Sequence, residues 1–203
     1  RDTAPFDLLK NKVLPDLIDR RKAAARGGTV PLRIWSAACS TGQEVYSVAI
    51  VVRDLLGDMR GYDVRILGTD VSDRAVAAAS QGRYTPLEMG RGFPPEKIPS
   101  CFEAADGTWK VRDELRAMAT FRAMNLLDSP SFPVRHDVIL CRNVAIYFSE
   151  PDRLKLFRGL TSCLAPDGYL IIGATESLTG LCPRYEAKRY LRSVYYQLKP
   201  DTL

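Results

Sequence analysis

The segment 33–56 constrains the fold of this chain more than any other stretch. A basic residue, Arg33, and an apolar run lead into small residues that end at Gly42. An acidic residue, Glu44, comes shortly after, and apolar residues at helical spacing follow over 45–56. This order is typical of a strand, a tight loop and a helix, because small residues let the backbone turn sharply and approach a ligand closely. The first N–H groups of such a helix are free to bind polar atoms. We therefore expect a ligand above this loop.

A second unit of the same kind follows along the chain. An apolar run at 64–70 ends in Asp70, and a helix is predicted over 74–80, where Gly82 stops it. Further strands are predicted at 137–141, 169–173 and 194–198, the last of them antiparallel, and a further helix begins at 150–152. Alternating strands and helices predict an α/β fold with a doubly wound, mostly parallel sheet.

The segment 84–118 interrupts this alternation. It holds four prolines and shows little periodicity. Short antiparallel strands are predicted at 109–111 and 119–124, around a turn at Gly107. We therefore expect a small antiparallel β subdomain inserted at about 84–122.

The other architectural predictions concern the chain start and one turn. Residues 1–30 are expected to form a linker helix, broken near Pro15, ahead of one domain over 31–203. The basic run at 20–22 is interpreted as a solvated helix end. The segment 165–168, Ala-Pro-Asp-Gly, is predicted to be a turn.

Composition narrows the possible classes of protein and of functional site. Five cysteines without a C-x-x-C pair argue against a metal site and a disulfide framework, so we expect no metal. The single histidine, His136, is placed at a strand edge and does not suggest a catalytic triad. The net charge of +5 is scattered, which suits an acidic protein partner, and we expect no nucleic acid. No apolar run reaches the ~20 residues of a membrane helix, so a cytoplasmic protein without membrane insertion is predicted.

Polar residues at predicted strand ends indicate the ligand. Asp70 closes the second strand, where a carboxylate can accept hydrogen bonds from two ribose hydroxyls. The loop before Glu44 lacks the three-glycine dinucleotide pattern and the G-K-[ST] of a phosphate loop, which disfavours pyrophosphate. An acidic residue there suits an amine-bearing ligand. S-adenosylmethionine combines ribose, an amine and a sulfonium, which favours a methyltransferase over a dehydrogenase.

Five motifs together resemble a known family. They are the segments 33–47, 68–72, 125–127, 141–148 and 164–168, which read RIWSAACSTGQEVYS, GTDVS, NLL, CRNVAIYF and LAPDG. In this order they resemble the C-terminal catalytic domain of the CheR-type chemotaxis receptor methyltransferases, and they span nearly the whole chain. The resemblance implies a Rossmann-like class I methyltransferase fold.

The resemblance also implies a reaction and a set of site residues. The reaction is methyl transfer from S-adenosylmethionine to glutamate carboxylates on cytoplasmic receptor helices, with S-adenosylhomocysteine as product. The implied cofactor-binding residues are Arg1, Ala38, Glu44, Asp70, Asn125, Leu126, Arg142 and Asn143. Arg1 and Tyr147 are the implied catalytic residues, which orient the incoming carboxylate. A glutamate with a pKa of ~4.3 is already ionised at pH 7, so no general base is required.

The chain also departs from the family pattern. Gln43 replaces an acidic residue, Val45 a proline and Cys39 an alanine. The family carries a small helical domain ahead of this one, so we expect 1–30 to be its remnant and the chain to be a piece of something longer. The turn at 103–108 is short where members that dock on a receptor tail peptide carry a longer glycine-rich loop. This predicts receptor docking that is independent of a tail peptide.

Three other interpretations stay open. A nucleic-acid methyltransferase would explain the basic pI, but Arg142-Asn143-Val144 stands where base-methylating enzymes carry Asn/Asp-Pro-Pro-aromatic. A non-catalytic S-adenosylmethionine-binding regulatory module is the second alternative. A nicotinamide dehydrogenase is the third, and the loop disfavours it.

Overall fold

The computed structural model describes residues 3–200, which form a seven-stranded sheet and a smaller three-stranded one. The main sheet contains β1 (Val30–Ala37), β2 (Tyr62–Asp70), β6 (Ala119–Ala123), β7 (His136–Cys141), β8 (Leu164–Ile172), β9 (Tyr185–Tyr190) and β10 (Ser193–Leu198). The small sheet contains β3 (Arg83–Tyr84), β4 (Phe102–Ala105) and β5 (Thr108–Val111), which pair antiparallel.

Eight α-helices connect these strands in the described residues. They are α1 (Ala4–Leu8), α2 (Leu14–Ala25), α3 (Gln43–Leu56), α4 (Asp73–Gln81), α5 (Pro86–Gly92), α6 (Ile98–Cys101), α7 (Asp113–Arg116) and α8 (Glu150–Cys163). A π-helical segment spans Leu9–Val13, and single 3₁₀ turns span Pro95–Lys97 and Ala145–Tyr147. Gly57 and Gly82 take positive φ directly after α3 and α4, so both helices end where the glycines predict.

The strand order of the main sheet is β6-β2-β1-β7-β8-β10-β9. The chain moves outward from β1 through β2 to β6, then returns to the other side of β1 as β7. Strands β6, β2, β1, β7 and β8 are parallel, and β10 is antiparallel to both of its neighbours, β8 and β9. The reversal between β1 and β7 opens a crevice at their carboxyl ends. The prediction of a doubly wound, mostly parallel sheet is confirmed.

Two apolar cores lie on opposite faces of this sheet. Ile34 of β1 and Leu140 of β7 belong to a core shared with α2 and α3, whereas Trp35 and Ile139 belong to one shared with α8. Successive strand residues point to opposite faces, so continuous apolar runs in β1 and β7 require helices on both sides.

The prediction that 119–124 joins the small antiparallel sheet is wrong. Ala119–Ala123 pairs parallel with β2 at the rim of the main sheet. The contact depends on Gly68 of β2, because a Cβ there would stand 2.6 Å from the Phe121 ring. The other predicted strand of this pair, 109–111, does lie in the small sheet as part of β5.

The predicted turn at 165–168 is also wrong, because these residues belong to β8. The register of β8 against β7 shifts between His136 and Val138, which absorbs the extra residues. Asp167 is fixed there by two hydrogen bonds of 2.8 Å from the Arg21 guanidinium. Strand β9, next to β10 at the far rim of the sheet, had no prediction.

The N-terminal helical segment differs from its prediction in two ways. The chain stays helical through Pro15, because α2 begins at Leu14, directly after the π-helical segment. Pro15 falls in the first turn of α2, where a proline is tolerated. Arg21 is not solvated, since its guanidinium pairs with both Asp137 and Asp167. Helix α2 is thereby joined to β7 and β8.

The five cysteines are free, and all but Cys182 are buried. Within residues 3–200, no group of three or more His, Cys, Asp or Glu side chains is placed to hold a metal ion. His136 is buried between Trp35 and Phe132, and this burial lowers its pKa to about 4. Among the described helices, none is long and apolar enough to cross a membrane.

Candidate active site

The loop between β1 and α3 forms one wall of the crevice. Ala38, Ser40 and Gly42 have φ values of 63°, 51° and 85°, which turn the chain sharply. The Cys39 N–H donates to the Thr69 carbonyl at 2.8 Å, so the loop is joined to β2. A Cβ on Gly42 would lie 2.8 Å from the Ala79 side chain, which explains the need for glycine at this close approach to α4.

Glu44, in the first turn of α3, lies at the reversal point of the sheet. Its Oε1 accepts a hydrogen bond of 2.8 Å from the Ser36 hydroxyl, and its Oε2 accepts one of 2.9 Å from Arg142. The side chains of Glu44 and Arg142 are 17% and 13% exposed. An ion pair so largely shielded from water is weakly screened, and the serine fixes its orientation.

Asp70 ends β2 on the other side of the loop. Its Oδ2 accepts the Ser40 N–H at 2.9 Å, and its Oδ1 accepts the Ser72 N–H at 3.0 Å. Ser72 is the N-cap of α4, because its hydroxyl accepts the Ala75 N–H. Each oxygen of a carboxylate has two lone pairs, so Asp70 holds the loop in place and still has acceptor capacity toward the crevice.

Asn125 and Leu126 follow β6 at the same edge of the sheet. Asn125 is exposed, and its side chain donates to Asp128 at 3.1 Å and accepts the Leu127 N–H at 3.1 Å. Leu126 is buried in the core shared with α8. The two residues therefore place one polar group and one apolar group at the carboxyl end of β6.

Asn143 and Tyr147 follow β7. Asn143 has a φ of 58°, and its backbone N–H donates to Glu176 at 2.9 Å. Tyr147 ends the 3₁₀ turn after it and is 79% exposed. A phenol so accessible does not serve strand packing. The remaining predicted site residue, Arg1, lies outside the described residues.

Two residues of this edge had no sequence prediction. Ser36 holds Glu44, and Glu176 accepts N–H groups from both Asn143 and Gly173. Ser36 is the next-to-last residue of β1, so its position at the carboxyl end was a usable signal. Glu176 comes four residues after β8, and its sequence position alone does not indicate which backbone groups it reaches.

The thiols near the site are protonated at neutral pH. Burial, aided by the charges of Asp70 and Glu44, raises the pKa of the Cys39 thiol to about 12. Burial likewise raises the pKa of Cys141. Since the thiolate is the nucleophilic form, neither cysteine competes with an incoming nucleophile.

A cavity adjoins these residues but does not contain most of them. Its volume is about 1020 Å³, and its walls come from α1, the carboxyl end of β8 and the β9–β10 hairpin. Gly173 and Glu176 line it, so it meets the crevice where β7 and β8 end. Glu44 and Asp70 lie outside this cavity, on the β1–β2 side of the crevice.

Comparison with known proteins gives the family. The profile of the CheR methyltransferase SAM-binding domain matches residues 1–191. Chemotaxis protein methyltransferase 1 of Pseudomonas aeruginosa is 41% identical over 98% of this chain and 72% of its own length. The chemotaxis protein methyltransferase of Vibrio parahaemolyticus is 40% identical over 98% of this chain and 70% of its own length. This chain belongs to the CheR methyltransferase family, as its motifs predicted.

Similar solved structures support fewer conclusions than the family model and the sequence relatives do. A TehB-like SAM-dependent methyltransferase from Corynebacterium glutamicum aligns with 89% of this chain and 86% of its own, at 14% identity and a TM-score of 0.49. A likeness at that level supports no argument about the site.

The acceptor and donor groups of the crevice fit S-adenosylmethionine. Asp70 offers two carboxylate oxygens with remaining lone pairs, which suits a pair of ribose hydroxyls. Glu44 and Arg142 offer a negative and a positive group side by side, which suits the ammonium and carboxylate of an amino acid. The loop has neither the three-glycine dinucleotide pattern nor the G-K-[ST] of a phosphate loop, which disfavours a pyrophosphate.

Proposed function

We propose that this protein transfers a methyl group from S-adenosylmethionine to glutamate side-chain carboxylates of chemotaxis receptors, which gives glutamate methyl esters. The observation that carries the proposal is the family match over residues 1–191, which includes every residue assigned to the site. The curated relatives named as chemotaxis protein methyltransferases support it.

The cofactor would be held by residues at the carboxyl ends of β1, β2, β6 and β7. Asp70 would accept the ribose hydroxyls, and Glu44 with Arg142 would face the amino-acid end. Ala38, Asn125, Leu126 and Asn143 would line the remaining walls. When bound, S-adenosylmethionine supplies a methyl group on a positively charged sulfur, so the leaving group is a neutral thioether.

The protein's own part in the reaction would be alignment. The acceptor glutamate is ionised at pH 7 and needs no general base, and the neutral thiols of Cys39 and Cys141 leave it without a competitor. The exposed hydroxyl of Tyr147, together with Arg1, would orient the acceptor carboxylate. Holding two reactants in register is by itself a large source of rate enhancement.

The small sheet would dock the receptor without a tail peptide. Strands β4 and β5 are joined by a two-residue turn, Asp106-Gly107, in which both residues have positive φ. This is the compact hairpin turn that Asp-Gly favours. A free peptide with the sequence of a receptor C-terminal tail is expected to leave the methylation rate unchanged, and competition by that peptide would refute tail-independent docking.

The reaction is tested with methyl-labelled S-adenosylmethionine and receptor-bearing membranes, followed by mild base. Carboxyl methyl esters release volatile methanol, whereas N-methyl groups do not. Release of labelled methanol is the expected outcome. Base-stable label, or label on RNA added to a parallel reaction, would refute the proposal. Binding of S-adenosylhomocysteine without transfer would instead indicate a regulatory module.

A further inference from the structure

Glu176 joins the carboxyl ends of β7 and β8. Its Oε2 accepts a hydrogen bond of 2.9 Å from the backbone N–H of Asn143 and one of 2.6 Å from that of Gly173. A carboxylate that accepts from backbone N–H groups makes a charge-assisted contact, which is about twice as strong as a neutral one. Residues after two different strands are therefore fixed by one oxygen atom.

There is no room for a side chain at Gly173 beside this oxygen. A Cβ on Gly173 would lie 2.5 Å from Glu176 Oε2 and 3.0 Å from Asn143 Nδ2. Asn143 itself has a φ of 58°, a left-handed conformation that asparagine adopts more readily than other residues with a side chain but that its surroundings must still select. Glu176 and Gly173 are the surroundings that hold it here.

The position of Asn143 in turn controls two neighbours. Arg142, the preceding residue, reaches Glu44 at 2.9 Å. The 3₁₀ turn that ends at Tyr147 starts two residues later, and its Tyr147 N–H donates to Val144. A backbone rotation at Asn143 would move both side chains relative to the loop before α3.

We infer that Glu176 is a positioning residue of the cofactor site, which holds Asn143 in its left-handed conformation and so places Arg142 and Tyr147. This inference rests on the proposed function for the identity of the ligand. Glu176 acts through the backbone of Asn143 and does not touch the reacting atoms.

The contacts of the two carboxylate oxygens make a specific test possible. Both N–H groups bond to Oε2, while Oε1 is buried without a hydrogen-bond partner among the described residues. The carbonyl oxygen of a glutamine can take the place of Oε2, whereas alanine removes the acceptor. Glu176→Gln should therefore retain the function of Glu176, and Glu176→Ala should lose it.

The test measures binding of S-adenosylhomocysteine by calorimetry and amide hydrogen exchange by NMR. In Glu176→Ala the affinity is expected to fall about tenfold, because two charge-assisted hydrogen bonds are lost. The amides of Asn143 and Gly173 should lose their protection. In Glu176→Gln the affinity should stay within about threefold of wild type, with both amides protected. Glu88→Ala is the matched control, since Glu88 also accepts a backbone N–H, that of Thr85, and is none of the residues assigned to the site.

A second variant covers the case that Glu176→Ala does not fold. Gly173→Ala leaves the carboxylate in the chain but pushes it away from Asn143, so it should weaken binding to a similar extent. Wild-type affinity in either Glu176→Ala or Gly173→Ala would overturn the inference, and so would a Glu176→Gln variant as impaired as Glu176→Ala.

Failure of the proposed function can be told apart from failure of the inference. A wild-type protein that binds S-adenosylhomocysteine but esterifies no receptor would refute the proposed reaction alone. If wild type bound no S-adenosylhomocysteine, the proposed function would fail, and the exchange data would still decide whether Glu176 holds Asn143.

Discussion

Charged side chains gather at both ends of the central strands, but their partners differ. At the amino ends, Arg21 bonds to Asp137 and Asp167 through all three guanidinium nitrogens, and the remaining Asp137 oxygen accepts the Arg33 N–H. At the carboxyl ends, the hydrogen bonds that Asp70 and Glu176 accept come from backbone N–H groups.

This difference separates a structural cluster from a binding site. At the amino ends, every carboxylate oxygen of Asp137 and Asp167 has a donor, and charge is balanced within the protein. At the carboxyl ends, each Asp70 oxygen accepts one backbone N–H and retains a spare lone pair, and left-handed residues such as Ser40 shape the loop beside it. The carboxyl ends thus differ from the amino ends in holding one carboxylate, Asp70, without a cationic partner among the described residues, beside a pair, Glu44 with Arg142, that is balanced within the protein.

Arg21→Ala should produce the largest change in stability. It leaves Asp137 buried without its charge partner, and breaking such a pair costs about 3 kcal/mol or more. Arg21 is 19% exposed, whereas the neighbouring Arg20 is 40% exposed and pairs with Asp167 at the surface. In urea unfolding, the control Arg20→Ala should therefore lower the free energy of unfolding by less than about 1 kcal/mol. Equal losses in the two variants would contradict the assignment of Arg21 as the structural residue.

Low pH should destabilise the folded protein through His136, the first residue of β7. Burial lowers its pKa from 6.5 to about 4, so between these values the unfolded chain binds a proton that the folded protein does not. The free energy of unfolding is therefore highest above pH 6.5 and should fall by about 3 kcal/mol as the pH drops to 4. Urea titrations of His136→Phe across this range should give a flatter curve than wild type. Parallel curves would show that His136 does not contribute.

Asp70→Ala should act on binding. If Asp70 accepts the two ribose hydroxyls as proposed, loss of these charge-assisted hydrogen bonds should weaken S-adenosylhomocysteine binding by about a hundredfold in calorimetry. Ser72→Ala is the control, because it removes the N-cap of α4, at a cost of about 1 kcal/mol in stability, and leaves the Asp70 carboxylate in place. If the two variants lose the same affinity, Asp70 serves only to hold the loop.

Tyr147→Phe should have the smallest and most selective effect. The hydroxyl is exposed, so its loss should not change the unfolding free energy or the affinity for S-adenosylhomocysteine. Methyl transfer to the receptor should slow about tenfold in kcat, the cost of one lost hydrogen bond to a charged group. Ile146→Val, at the neighbouring exposed position, should leave kcat unchanged. A Tyr147→Phe variant at full rate would remove Tyr147 from the proposed mechanism.

Much of the fold could be predicted because its signals are local. The apolar runs of β1, β2 and β7 are interpretable within a few residues, and so are the glycines that end α3 and α4. The misassigned parts depend on distant partners. Ala119–Ala123 has the same alternation in either sheet, and only Gly68 makes room for Phe121 beside β2. Residues 165–168 look like a turn until Arg21, 146 positions away from Asp167, holds them extended.

The candidate site also has a part that the sequence predicts and a part that depends on distant contacts. Topology alone places Glu44, Asp70 and Arg142 at one edge, because parallel strands present their carboxyl ends together. The contact between Arg142 and Glu44 spans 98 positions, and that between Glu176 and Asn143 spans 33. No local pattern reports such contacts. The identity of the methyl acceptor depends on the family and not on the pocket geometry.

Strand β9 has a consequence for the behaviour of the protein in solution. It lies at the rim of the main sheet, where unpaired backbone groups can recruit a strand from another molecule. Glu186, Lys188 and Arg189 place charge along this strand, with Glu186 and Lys188 3.3 Å apart. Edge-to-edge stacking of two copies would desolvate these ions and bring like charges together. The sheet therefore carries its own protection against aggregation at the rim where it would otherwise grow.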